Sequence, residues 1–495
     1  MRITNSGYSH HGASRGKPSL MRWISTSKSP HEDISENVEL LRERSRDLYA
    51  GGGPLGRGAI DRIVLNALGS GLRLNVRIDP ERLGMSESES RKWAANVESQ
   101  FDYWASSKRA DFTRKLNFYE MQVLAFKSVL LDGECLVNLT YKRERGCRYS
   151  LCLQLIESDR LMTPSPRPSG AMIDEGVEID EYGTPLAYWI SNRNPKAEIT
   201  NQPSRIEYTR LPVNKPYCNQ RNIIHLINPE RINQNRGVPF LAPVIEQLKQ
   251  LGRYTDAELM GAVISGMYAI FFEHDFRPEG AVGEEQYASE EGFGPVENDE
   301  REITQEQMYG LVMDLPEGVK ATSVSPSRPN TSFEAFVEAL VRQIGGCLGI
   351  PSELLFLHFT ASYSASRGAL LEAWKLFRYW REWFAMNFCQ PVYEMWLAEA
   401  VEGYVNAPGF FEDDYTQSLY AWAEWTGPSQ GQLDPVKEVN ASILRVKNGF
   451  STYQRETSEL TGGDYDLNMK QLQREANLPE TSQKAPSFSY GDEWL

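Results

Sequence analysis

The hydrophobic period of the chain changes twice along its length, and that order limits the fold more than any single motif does. Apolar residues recur at helical spacing through the first quarter, at a spacing of two in the stretch that follows, and at helical spacing again from Pro239 onward. A chain patterned in this way builds a small, mainly antiparallel sheet between helical segments, giving an α+β fold that is mostly α. Its 495 residues suffice for two to four structural units.

Residues 1–30 are rich in Ser, Gly, Arg and His without periodicity and read as a mobile tail, with His10 and His11 in solvent. One amphipathic helix then carries Ile34, Val38, Leu41 and Leu48 and stops at Gly51-Gly52-Gly53-Pro54. A second follows with Ile60, Ile63, Val64, Ala67 and Leu68 on one face. A third bears the stripe Trp93, Val97, Phe101 and Trp104, and Asn117 with Glu120 makes a capping-box start for a fourth.

Period two begins at Cys135, Val137, Leu139 and Tyr141 and resumes at Tyr149, Leu151, Leu153 and Leu155 after the Lys142–Gly146 turn. Further strands are expected at Val177–Asp180, Leu186–Ser191, Arg205–Tyr208 and Ile223–Ile227. Together they read as one small sheet.

A helical pattern then runs from Pro239 to about Phe272, as one helix or as two broken at Gly252. In its second half Ala257, Gly261, Ser265 and Ala269 recur every four residues, a stripe of small side chains that lets another helix approach closely. Residues 273–302 hold eleven acids and two bases, which account for −9 of the net charge of −15, and read as a solvated loop. A strand pair is expected at Leu311–Asp314 and Val319–Val324. A helix with Phe333, Phe336, Val337, Leu340 and Ile344 on one face should stop at Gly345-Gly346. Past Gly349-Ile350-Pro351, an aromatic helix from about Ser364 should kink or break at Pro391 before continuing to Glu402, with Trp374, Phe377, Arg381, Phe384 and Phe388 marking one face and the aromatic stripe serving as core. Asp434-Pro435 starts a helix that Asn448-Gly449 ends, and two short helices follow at Thr452–Leu460 and Tyr465–Ala476. Residues from Pro479 onward read as a second tail.

The charge balance of 52 basic against 67 acidic side chains disfavours a tight nucleic-acid binder. Six cysteines without a C-x-x-C spacing fit a reducing compartment. No secretory signal is read at Met1–Ser6, and the longest uncharged apolar run, Leu259–Phe272, is too short to span a bilayer, so no membrane partner is expected.

Catalytic and cofactor motifs are wanting. Gly51-x-Gly53-x-x-Gly56 matches a dinucleotide fingerprint by letter, yet a charged, helical stretch precedes it where the fingerprint needs an apolar strand. At Gly16-Lys17, His11 and Pro18 replace the first glycine and the hydroxyl residue of a P-loop. There is no G-x-S-x-G or H-E-x-x-H, and His225, His274 and His358 stand singly, read as structural. Glu178 and Asp180 share a strand face, but Glu181-Tyr182-Gly183 directly after them reads as a hairpin turn in solvent. The expectation is a protein without enzymatic activity, metal or cofactor.

The ordered landmarks nevertheless resemble a known family, the bacteriophage portal proteins of the lambda-like type. They are Leu48-Tyr49 with Pro54-Leu55 and Ala59–Val64, then Leu116–Glu120 and Leu153–Glu157, then Arg236-Gly237-Val238-Pro239 and Leu248–Leu251 with Tyr254–Leu259. Phe333–Phe336, Leu348–Pro351, Tyr363–Arg367, Gln390–Tyr393, Trp425–Pro428 and Asp434-Pro435 complete the series. The resemblance implies a portal fold arranged as a homo-oligomeric ring, usually of twelve copies, at one vertex of a viral head. Double-stranded DNA would enter and leave through it non-specifically, driven by a separate terminase whose large subunit docks there. Head-tail connector, major capsid and scaffold proteins would be its other partners. The site would be the virion, after assembly in the bacterial cytoplasm.

By region order the resemblance implies a tail at 1–30, a wing at 31–238, a stem helix at 239–270 and a clip at 271–320. A second stem and wing segment would take 321–430, the crown 431–478 and a tail 479–495. It also implies a tunnel-lining loop near 350–366 with Phe359, Thr360, Ser362 and Tyr363 as candidates, and stem packing between copies at Ala257, Gly261, Ser265 and Ala269. An acidic ring suits a conduit, since each neutralised phosphate adds affinity and friction. The competing readings are a metal-dependent DNA-processing nuclease of a phage, which needs an acidic triad on strand ends, and a scaffold or adaptor that forms no ring.

Overall fold

In the computed structural model, residues 28–51, 53–196, 206–215, 220–267, 271–274, 319–322, 332–358, 363–431 and 434–476 are described, with the backbone alone at 54, 264–267, 271–274, 319–322, 363 and 364. The chain divides into two units, residues 1–249 with 340–495 and residues 250–339.

The first unit opens with two helices, α1 (Pro30–Ser35) and α2 (Val38–Ala50), where the pattern predicts one. The Asn37 side-chain amide donates to the Asp33 carbonyl (3.0 Å), taking the acceptor that a continuous helix would give to the Asn37 backbone N–H, which bonds Ile34 instead. Helix α3 (Pro54–Ala67) follows, and a Cβ on its Gly56 would meet the Leu48 carbonyl at 3.2 Å. The last glycine of the apparent dinucleotide fingerprint thus serves a close helix–helix approach, and a Cβ on Gly51 or Gly53 would meet nothing within 4 Å.

After strand β1 (Arg73–Val76) come α4 (Glu87–Ala105) and α5 (Phe118–Asp132). The predicted capping box forms at the start of α5: Asn117 Oδ1 accepts from Glu120 N (2.9 Å) and Glu120 Oε2 accepts from Asn117 N (2.8 Å).

The strands are β2 (Glu134–Tyr141), β3 (Leu151–Ile156), β4 (Met172–Asp174), β5 (Val177–Ile179), β6 (Pro185–Ser191), β7 (Tyr208–Pro212) and β8 (Ile223–Ile227). They form two antiparallel sheets, ordered β3-β2-β8 and β4-β5-β6-β7, where the sequence suggests one. Leu136, Ile156 and Ile223 of the first sheet pack with Val177, Tyr188 and Ile190 of the second, so apolar faces that one open sheet would leave wet are buried against each other. Leu136 faces that core, while Cys135 and Val137 point to the opposite side of the strand and are buried as well, so β2 does not alternate. The strand predicted at Arg205–Tyr208 begins only at Tyr208.

Helix α6 (Ile245–Met267) starts later than Pro239, after a short 3-10 turn at Ala242–Val244, and passes through Gly252 unbroken. It ends before Phe271 and Phe272, which lie in β9 (Phe271–His274). The partner of β9 is β10 (Val319–Thr322), so the expected strand at Val319 pairs with a sequence-remote segment. Its predicted partner, Leu311–Asp314, lies outside the described residues, as do most of the acidic stretch 273–302, residues 1–27 and the tail from Pro479, whereas Ser29 and Pro30 of the expected first tail cap and open α1.

Helix α7 (Phe333–Leu348) does not stop at Gly345-Gly346. A Cβ on Gly345 would lie 2.4 Å from the Ile350 carbonyl oxygen, and Ile350 N donates to the Gly345 carbonyl (2.9 Å), so this glycine makes room for the chain reversal at Gly349 (φ +71°). Beyond α8 (Ser352–Phe356), helix α9 (Tyr363–Phe384) leads through a widened turn at Ala385–Cys389 into α10 (Gln390–Gly403). Pro391 does not break the run. Gln390 N donates to Ala385 O, one residue further back than in an α-helix, and the opened turn accommodates the proline ring. The unit closes with α11 (Asp414–Tyr420), β11 (Ala423–Thr426), α12 (Pro435–Lys447), α13 (Tyr453–Thr461) and α14 (Tyr465–Ala476).

An aromatic core joins the two ends of this unit. The ring of Phe101 meets Phe118, Tyr393, Trp396 and Trp425 edge to face, with centroids 5.1–5.9 Å apart. Nearby, β11 pairs with β1 in the register Arg73↔Thr426. Phe377, Phe384 and Phe388 are buried as expected of the aromatic stripe.

Candidate functional site

The predicted positions are only partly placed. Ala257 is exposed and Gly261 half-exposed on α6; Ser265 is described by backbone alone, and Ala269 lies outside the described residues. Phe359, Thr360 and Ser362 also lie outside them, and Tyr363 is given only as the first residue of α9.

Within the second unit, Tyr254 stacks on Phe333 (5.5 Å) and meets Phe336 edge-on (5.1 Å). Ala257 and Gly261 follow Tyr254 by three and seven residues and share its helix face. The small side chains therefore sit beside a helix contact made within one chain. The neighbouring α6 residues Leu259, Met260 and Val263 are 67, 60 and 46% exposed. These apolar side chains are thus largely open to solvent in the single chain.

A second constellation was not anticipated from sequence. Glu134, at the start of β2, is fully buried and stays ionised. Burial alone would raise its pKa, but the charges of Arg236 and Arg42 outweigh that effect and hold it well below the usual carboxylate range. Arg236 Nη2 and Arg42 Nη2 lie 2.7 and 2.9 Å from Oε1, while Gly237 N donates to Oε2 (2.9 Å) and His225 Nε2 lies 3.2 Å from it.

The two arginines also reach backbone. Arg236 donates to the carbonyls of Ser158, Leu161 and Glu175, and Arg42 to those of Asp132 and Gly237. Arg46, one turn on, bridges Asp132 (2.7 Å) and Asp159 (2.6 Å). Gly133 (φ +85°) and Gly237 pass so closely that a Cβ on Gly237 would meet the Gly133 carbonyl at 2.0 Å. The cluster thereby ties α2, the end of α5, both sheets and the segment leading to α6 into one body. Its signal in the sequence was faint: a lone Glu opening an apolar strand, and Arg42 on the helix face that carries Val38 and Leu48.

The other charged groups singled out in the sequence are engaged within the fold. His225 is consumed by Glu134. Glu178 accepts from Trp189 Nε1 (3.0 Å) and from both nitrogens of the Arg210 fork (2.8 and 2.7 Å), and Asp180 accepts from Tyr182 N and Thr184 N in the predicted hairpin turn. Among the described residues no group of three His, Cys, Asp or Glu could hold a metal, and no helix is long and apolar enough to cross a membrane. A cleft of about 830 Å³ lies along α9 between Leu371, Trp374, Lys437 and Arg445.

The family model for phage portal proteins of the lambda family matches residues 16–381. The chain belongs to the lambda family of phage portal proteins. It is thus a portal protein of the phage head-tail connector, and packaging and ejection of the viral genome are that family's work. The portal protein of Escherichia phage N15 is 25% identical over 94% of this chain and 89% of its own length. Portal protein B of Escherichia phage lambda is 25% identical over 98% and 93%. Among solved structures, a chain from the neck of a native GTA particle computed with C12 symmetry is 15% identical, covering 84% of this portal protein and 92% of that chain at a TM-score of 0.42.

Proposed function

We propose that copies of this portal protein close into a ring at one vertex of a viral head, and that double-stranded DNA passes through the opening under the drive of a separate terminase motor. The observation that carries the ring is the α6 surface: Leu259, Met260 and Val263 stand exposed in the single chain beside Gly261, a surface that a neighbouring copy would cover. In this reading α6 is the stem, residues 31–238 and part of 321–430 form the wing, 271–320 the clip and 431–478 the crown. Residues near 350–366 would line the tunnel. The ion cluster around Glu134 would hold the wing rigid where the chain enters the stem.

The ring would serve as a dock for the terminase large subunit and for connector, capsid and scaffold proteins, and its work is mechanical. Net acidity favours passage, because a wall that neutralised phosphates would retain the duplex. Electron micrographs of the purified full-length protein test the reading. Rings with a central hole are expected; a single solid particle at every concentration would overturn it.

A further inference from the structure

The basic residues of this acidic protein are unevenly spread. Residues 108–115 and 142–148 together hold eight Lys and Arg and only two acids, in a chain whose net charge is −15. The fold brings these two segments side by side. Phe112 N donates to the Leu153 carbonyl (2.9 Å), which fixes the first segment along β3, and the second is the turn joining β2 to β3.

Both acids are already satisfied. Asp111 is buried and accepts from the backbone N–H groups of Thr113, Lys115 and Leu116. Glu144 is shared by Arg114 (2.7 Å) and Lys142 (3.2 Å). Lys108, Arg109, Lys115, Arg143, Arg145 and Arg148 remain exposed. Rings hold several of the cations in place: Lys142 lies over Phe112 (5.8 Å), Arg148 over Tyr404 (4.2 Å) and Lys215 over Tyr141 (4.2 Å).

We infer that this end of the β2–β3 hairpin is a binding surface for the phosphodiester backbone of DNA, independent of sequence and separate from the passage through the ring. A surface of exposed cations whose own two acids are already engaged is what phosphate neutralisation needs, and the arginine forks match phosphate oxygens in pairs. The choice of DNA among polyanions rests on the portal reading, since the viral genome is the polyanion that such a protein meets. The surface would grip where the channel wall must not.

The test is binding of the full-length protein to a fluorescent duplex of about 30 base pairs, followed by anisotropy between about 50 and 200 mM salt. Binding in the micromolar range is expected. Reversing the turn with K142E/R143E/R145E should weaken it at least tenfold and flatten the salt slope by roughly 0.9 for each phosphate no longer neutralised. The pair R109E/K115E on the facing segment should act in the same direction, while K470E/R474E on α14 should leave binding unchanged. Equal weakening by the α14 pair, or no weakening by the hairpin variants, overturns the proposal. So does displacement of the duplex by polyglutamate at equal charge concentration, which would make the surface a dock for an acidic protein segment. Micrographs of the hairpin variants keep the two readings apart: rings that form normally but bind DNA undiminished sink this surface and leave the portal ring standing.

Discussion

The guanidinium of Arg236 lies 2.7 Å from the carboxylate of Glu134, and both side chains are withdrawn from water at 5 and 0% exposure. With Arg42 on the same oxygen, the carboxylate is the shared anchor of α2, β2 and the segment entering α6. Removing it leaves two buried cations without compensation. Glu134→Ala should therefore cost about 3–5 kcal/mol, read as a lowered denaturant midpoint of the first unit. Because the folded pKa of Glu134 is depressed, its contribution is present above the ordinary carboxylate range and is lost only as pH falls well below it. A wild-type protein that loses this stability between pH 7 and 5 would contradict the arrangement.

The crossing of Gly133 and Gly237 leaves no room for a methyl group. Gly237→Ala would place its Cβ 2.0 Å from the Gly133 carbonyl, so backbone must shift and the Glu134 cluster with it. A loss of more than about 2 kcal/mol is expected. At Gly53, where nothing lies within 4 Å of such a Cβ, the same substitution should change stability by less than about 1 kcal/mol. Urea titrations of the two variants decide the matter.

At the other end of the unit, Arg445 Nη2 lies 2.5 Å from Glu456 and joins α12 to α13. This pair draws the pKa of Glu456 down to about 2. The stabilisation it brings is present above about pH 4.5 and falls away as the pH approaches 2. Amide protection factors in α12 and α13, corrected for the intrinsic pH dependence of exchange, should fall over that interval, and Glu456→Gln should show the lowered protection already at neutral pH. Unchanged exchange in the variant would remove the pair from any holding role.

Gly261→Leu should block ring assembly while leaving the single chain folded, because in the proposed stem contact a branched side chain would fill the space that a neighbouring copy takes. Light scattering reports the outcome directly. Full rings from the variant would refute the small-residue contact between copies, and an unfolded variant would instead locate the constraint in the contact of Tyr254 with Phe333 and Phe336 in the same chain.

Much of this architecture is written locally, and that part was legible. Capping at Asn117 and Glu120, the Asp434-Pro435 start and the hairpin turn after Asp180 each depend on residues within a few positions of one another. The same holds for Ile223–Ile227, whose span matches the expected strand. The family resemblance was legible for another reason, since it draws on landmarks spread over most of the chain.

Sequence alone therefore determined the succession of helices and strands, the excess of acid and the absence of catalytic motifs, because periodicity, capping and charge are properties of neighbouring residues. Only the tertiary structure decided that the strands form two sheets, that β1 finds β11 across about 350 residues, that Gly345 opens a reversal instead of ending a helix, and that Glu134 belongs with Arg42 and Arg236. Those outcomes depend on which surfaces are buried against each other. Desolvation makes a lone carboxylate in an apolar strand tolerable only where the fold delivers its partners, and no local pattern encodes that delivery.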